Sequence, residues 1–143
     1  MAKLRHIAIA VPDPVRSAAF YADVFEMEIV GETESPLASG VYLSDGTVCL
    51  ALLNYKTDEA AGLERGRDYV GVHHFGLWCD DLDAQTEAIK EHGGTFFMEL
   101  PVAKDSLYFE AKFRDPDGII FDVSHNGWVG ATKFGATKFG AAK

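Results

Sequence analysis

The chain predicts an α+β fold: two βαβββ modules forming one curved mixed sheet around a cleft. Three observations predict it. "RHIAIAVPDPVRSAAFYADVF" from Arg5 and "VHHFGLWCDDLDAQTEAIKEH" from Val72 share one grammar: His, a short apolar strand, Asp, then helical periodicity. The spacing repeats, from His6 to Asp13 and from His74 to Asp81, the pairs standing 68 positions apart. After each helix, the remaining apolar runs fall in the same order. Two copies make a pair of supersecondary units and not a solenoid.

In the first module, residues 4–55, the strand "RHIAIAV" is apolar and β-branched and stops at "PDP". Asp13 suits an N-cap with Pro14 at the first helical position. The helix "VRSAAFYADVF" places Val15, Ala18, Ala19, Ala22 and Phe25 on one stripe, expected to face the core. Strands follow at "EIVGET", "SGVYLS" and "TVCLALLNY", the last two joined by the hairpin signal Asp45-Gly46. Residues 56–69 are polar and charged and read as a linker with some helix. In the second module, residues 70–128, "HHFGLWC" leads into acids suited to a helix N-terminus. The helix "AQTEAIKEH" ends at Gly93-Gly94. Strands then follow at "TFFMEL", "YFEAKF" and "IIFDVS", with "RDPDG" as the final turn. Residues 1–128 thus read as one domain. Residues 129–143 read as a low-complexity, mobile tail with a tandem repeat, Ala131–Gly135 and Ala136–Gly140, in which a packing role for Phe134 and Phe139 is the lesser reading.

With 143 residues and 48% hydrophobic content the chain can bury one core. A net charge of -9 opposes nucleic acid and anionic membranes. No apolar run reaches the roughly 18 residues that span a bilayer. The N-terminus reads as a first strand, not a signal peptide. Cys49 and Cys79, isolated in apolar runs, read as buried thiols of a cytoplasmic protein.

Alternate side chains of a strand share a face. If the modules fold alike, His6 and His74 are equivalent about a pseudo-twofold axis and point into the cleft. Four residues beyond the turn glycine of each last hairpin stand Asp122, after Gly118, and Leu50, after Gly46. An acid inside "IIFDVS" is costly unless paired or bound to a cation. A cation held by His6, His74 and Asp122 accounts for the duplicated histidine. The bland alternatives are hydrogen-bonded strand histidines and an ordinary acid on a half-exposed strand. His73 is expected to face away from the cleft. His92 suits its helix C-terminus.

"RHIAIAV-DP---AAFYADVF", "HHFGLWCDDLDA" and "FRDPDGIIFDV" resemble the signatures of the vicinal oxygen chelate superfamily, also called the glyoxalase/bleomycin-resistance/dioxygenase superfamily, over residues 4–128. The resemblance implies paired βαβββ modules around a divalent metal, with ligands from the first and last strand of each. His6, His74 and Asp122 match three of the four ligand positions. The fourth falls in "TVCLALL", with Leu50 aligned, and Asp122 stands where a Glu is usual. Two histidines and a carboxylate resemble the iron(II) facial triad and equally suit Mn, Ni, Co or Zn. Glu110 and Tyr108 are expected on one face of "SLYFEAKF". Glu110 is a candidate general base beside a metal-chelated substrate, or a solvated acid opposite Lys112. His125 is a candidate proton donor, or a strand cap. Trp78 and Trp128 read first as packing.

Three functions compete. The first is a metal-dependent enzyme of the glyoxalase/lyase or isomerase type on a small substrate chelated through adjacent oxygens. The second is an Fe(II) extradiol-type dioxygenase on a catechol, with His125 and Tyr108 beside the metal. The third is a metal-free small-molecule (drug) binding protein with an aromatic groove. The fold's sheet edges and apolar faces lead us to expect a homodimer.

Overall fold

The computed structural model describes residues 1–134, so the second copy of the tail repeat and Phe139 lie outside the described residues. Module one is β1 (Lys3–Ala10), α1 (Pro14–Phe25), β2 (Glu28–Glu34), β3 (Ala38–Ser44) and β4 (Cys49–Tyr55). A short helix α2 (Asp58–Ala61) interrupts the linker. Module two is β5 (Gly71–Trp78), α3 (Leu82–Glu91), β6 (Thr95–Glu99), β7 (Ala111–Arg114) and β8 (Ile120–Ser124). The eight strands form one sheet in the order β2-β3-β4-β1-β5-β8-β7-β6. That order reads the same from both ends in module terms. In each module the first strand pairs parallel with the last, and β1 and β5 meet antiparallel at the centre. The expected pair of βαβββ units is therefore present, and one chain carries the sheet through both.

Local chemistry explains the helix ends. The Asp13 side chain accepts from Arg16 N and the Asp81 side chain from Ala84 N, so the same N-cap serves both modules. Gly93, at φ 92, ends α3. The stripe expected on α1 is rotated. Ala18 is buried, with Tyr21 and Ala22 packed beside Leu43 and Leu52, whereas Val15 and Phe25 are 69% and 61% exposed. Small alanines let the helix approach the sheet closely, and the larger apolar residues are left at its flank.

Two further expectations change. β7 begins only at Ala111, so Tyr108 and Glu110 precede the strand and share no strand face. The segment after β8 is held as far as Lys133. Arg5 donates to the carbonyls of Thr132 and Lys133, and Ser44 Oγ donates to the carbonyl of Gly130.

Candidate metal centre

The β1–β5 seam brings the two histidines together. His6 lies opposite Gly76, and Ala8 opposite His74, so each imidazole faces a residue too small to displace it. His6 stacks on the buried indole of Trp128, with centroids 4.9 Å apart and planes at 7°. A Cβ at Gly76 would come within 2.7 Å of that indole and 2.9 Å of His6 Cβ, so the close approach needs glycine here. Asp122 is fully buried on β8 and shares this face, because Gly76 pairs with Asp122.

His6 Nε2 and His74 Nε2 are 3.3 Å apart. Asp122 Oδ2 lies 2.9 Å from His74 Nε2 and 3.6 Å from His6 Nε2. Glu110, 12% exposed, reaches in from the segment before β7 and places Oε2 3.9 Å from His6 Nε2. Ligand atoms of all four residues lie within 4.8 Å of one another, and one chain supplies them all. Asp122 Oδ2 and Glu110 Oε2 are buried and accept no hydrogen bond. Four basic atoms thus face a common point, where a cation or a proton shared by the two carboxyls relieves their repulsion. Two imidazoles and two carboxylates at these separations fit a divalent ion at the usual N and O bond lengths of about 2.0–2.2 Å.

Burial holds His6 down at about 3 and His74 well below the ordinary imidazole range, so both are neutral near pH 7. Burial, then the charge of Asp122, pushes the Glu110 carboxyl up to about 7. Burial, then the charge of Glu110, pushes the thiol of Cys49, opposite His6 on β4, up to about 12, where it stays protonated.

In the sequence Lys112 stands only as the residue opposite a solvated Glu110. It is buried, and its Nζ donates to Asp122 Oδ1 at 2.9 Å and lies 3.7 Å from Glu110 Oε2. Burial works against its charge, but Asp122 and Glu110 outweigh it and hold it above the ordinary lysine range. Asp122 thus spends one oxygen on an ammonium and turns the other to the imidazoles. Counting back from the "RDPDG" turn makes 112 and 122 cross-strand neighbours, a signal that was available.

The fourth ligand position is corrected from Leu50 to Ala51. Leu50 packs on the α1 side with Ile9 and Leu52. His6 pairs with Cys49, and Phe75 pairs with Phe121, so the residue two places beyond each histidine's partner is Ala51 in one module and Asp122 in the other. Ala51 is fully buried and offers no ligand.

His73 does not face away. The β1–β5 register shifts between Ala8 and Ile9, so His73 is the extra residue of a bulge and escapes strict alternation. It is buried, with Nδ1 2.8 Å from His74 Nδ1 and Nε2 2.6 Å from the Ala61 carbonyl of α2. Tyr108 and His125 are not part of the convergence. Tyr108, 43% exposed, packs on Tyr42 with centroids 6.1 Å apart. His125 lies past β8 against Phe109 and lines a groove with Asp80, Asp81 and Lys104.

Beside Glu110 opens a pocket of about 60 Å³. Leu37, Leu53, Met98 and Leu100 wall it, with Glu110 and Lys112 as its charged lining. This is room for a few waters or a substrate fragment.

Comparison with known proteins agrees with the fold. The profile described as Glyoxalase/Bleomycin resistance protein/Dioxygenase superfamily matches residues 3–123. A lactoylglutathione lyase of Haemophilus influenzae is 26% identical over 133 residues, 87% of this chain and 93% of its own. The mitochondrial methylmalonyl-CoA epimerase of Homo sapiens is 27% identical over 95 residues, 64% of this chain and 54% of its own. A variant of Streptomyces coelicolor methylmalonyl-CoA epimerase in complex with 2-nitronate-propionyl-CoA superposes with a TM-score of 0.71 at 20% identity, covering 86% of this chain and 96% of that one. The chain belongs to the Glyoxalase/Bleomycin resistance protein/Dioxygenase superfamily.

Proposed function

We propose that the protein is a metal-dependent enzyme of the lyase or isomerase type that acts on a small substrate through two adjacent oxygens. The observation that carries this is the convergence of His6, His74, Glu110 and Asp122 beside a small apolar pocket. His6, His74 and Asp122 hold a divalent cation. When bound, such a cation supplies Lewis acidity, which acidifies a carbon next to a coordinated carbonyl. Glu110 takes that proton at Oε2 and returns it, the task of a positioned carboxylate in an isomerase or lyase. Lys112, on Asp122 Oδ1, holds that carboxylate's second oxygen toward the imidazoles. Leu37, Leu53, Met98 and Leu100 exclude water from the proton path. The names of the lyase and epimerase relatives support this class of chemistry.

Lys112 carries a second reading. Its ammonium already neutralises Asp122, as in a metal-free pocket that only binds its ligand. Metal analysis of protein purified without chelator separates the two. The enzyme reading expects a bound divalent ion and turnover of the methylglyoxal–glutathione adduct, or exchange of a 2-keto or 2-hydroxy acid α-hydrogen in D2O. Glu110→Gln should slow that step by about 10²–10⁴-fold while the protein still binds metal. Protein that neither carries nor takes up Mn²⁺, Co²⁺, Ni²⁺ or Zn²⁺ overturns it. The expected homodimer covers the apolar surface of Phe20, Val24, Phe25 and Ile29, and sedimentation measures it.

A further inference from the structure

We infer that His73 is a positioning residue that fixes the proton of His74 on Nδ1, so that Nε2 always offers its lone pair to the centre. The inference rests on the reading of His74 as a ligand. The oxygen of Ala61 can only accept, and His73 Nε2 lies 2.6 Å from it, so that nitrogen carries a hydrogen. The other nitrogen of a neutral imidazole is then an acceptor. His73 Nδ1 lies 2.8 Å from His74 Nδ1, and the one hydrogen this contact needs comes from His74. The Tyr55 hydroxyl stands farther from the same atom, at 3.4 Å. With Nδ1 of His74 committed, Nε2 is the atom left facing Asp122 Oδ2 at 2.9 Å. Two lone pairs at that separation repel unless a cation lies between them. Metal binding at Nε2 therefore leaves the hydrogen on Nδ1 undisturbed.

The other module shows that this is not a generic property of the fold. Its seam strand shifts register between Leu4 and His6, which makes Arg5 the extra residue there, 68 positions before His73. Arg5 likewise binds backbone carbonyls of the segment that follows the opposite module. A guanidinium has no acceptor, so it cannot set the tautomer of His6. The device that acts on His74 therefore has no counterpart on Arg5.

The test combines tautomer and affinity. Long-range ¹H–¹⁵N correlation on the metal-free protein should show His74 protonated at Nδ1. Zn²⁺ affinity, by competition with a chelating dye, should fall about 10–100-fold in His73→Leu, which removes the acceptor. His73→Asn places an amide oxygen near the Nδ1 position and should keep affinity within about threefold of wild type. Near-UV circular dichroism establishes that each variant is folded. An unprotonated Nδ1 on His74 overturns the inference, as does equal Zn²⁺ affinity in folded His73→Leu and wild type, or failure of His73→Asn to rescue. Wild-type protein that binds no Zn²⁺ defeats the metal reading instead, and the NMR measurement still decides the tautomer.

Discussion

The two modules differ most where their third and last strands pair side by side in the sheet. In module one Tyr42 lies opposite Ala51; in module two Lys112 lies opposite Asp122. The backbone frames match, with the same parallel pairing and the same antiparallel hairpin. One frame is closed with an aromatic ring and a methyl group, and the other carries a buried ion pair. Duplication supplied the imidazoles in pairs, whereas the carboxylate and its ammonium belong to one copy. A symmetric fold therefore holds an asymmetric site.

The hardest way to break this comparison is to make module two resemble module one. Asp122→Ala leaves Lys112 buried without its 2.9 Å partner. We expect a loss of ~3–5 kcal/mol in urea denaturation, the usual cost of stranding one member of a buried pair. Zn²⁺ affinity should fall by at least ~100-fold in titration calorimetry, because a direct ligand costs more than the 10–100-fold of an outer partner. Asp122→Ala combined with Lys112→Tyr recreates the Tyr42–Ala51 pair. It should regain most of the stability and none of the affinity. A double variant as unstable as the single one would show that the frames are not interchangeable.

A milder test uses acid. His6 and His74 are held below their ordinary range, so the native metal-free protein binds fewer protons than the unfolded chain. Their contribution to stability is present above about pH 6.5 and is lost as pH falls toward about 3. Glu110 works the other way: with its carboxyl raised to about 7, its contribution is present at low pH and lost as pH rises from its ordinary 4.5 through 7. Denaturation of metal-free protein between pH 4 and 8 should therefore show stability falling on the acid side. Glu110→Gln should make that fall steeper between about pH 4.5 and 7. A flatter profile in the variant would refute the assignment.

The smallest expected effect comes at the seam. Ala8, opposite His74, carries a Cβ, and its counterpart Gly76, opposite His6, has no room for one. Gly76→Ala should cost ~1–3 kcal/mol by displacing Trp128. It should also quench or shift the tryptophan fluorescence, since the indole must leave its stack on His6.

Much of this was legible before any coordinates. Equal His-to-Asp spacing located both modules, both N-caps and the two histidines, because each depends on short-range grammar. Asp122 stood out as an acid in an apolar run. Other features depend on long-range register, which residue order does not display. Leu50 was aligned by counting from Gly46, but that glycine stands three residues before Cys49, while Gly118 stands two before Ile120, so the two turns are not equivalent. His73 was assigned to the wrong face because alternation fails at a bulge. The phase of α1 was misjudged because alanine is too weakly hydrophobic to announce which stripe packs closest. Glu110 was found for the wrong geometric reason: it reaches the centre from a loop and not from a strand face.

The placement of the site on the β1–β5 seam has a consequence for how the protein is made. His6 and His74 stand 68 positions apart, and Glu110 and Asp122 follow still later. A nascent chain that has released only its first half from the ribosome displays a single one of the four donors. The four donors stand together only once β8 has emerged. On the metal reading, the order of translation keeps the set incomplete until then.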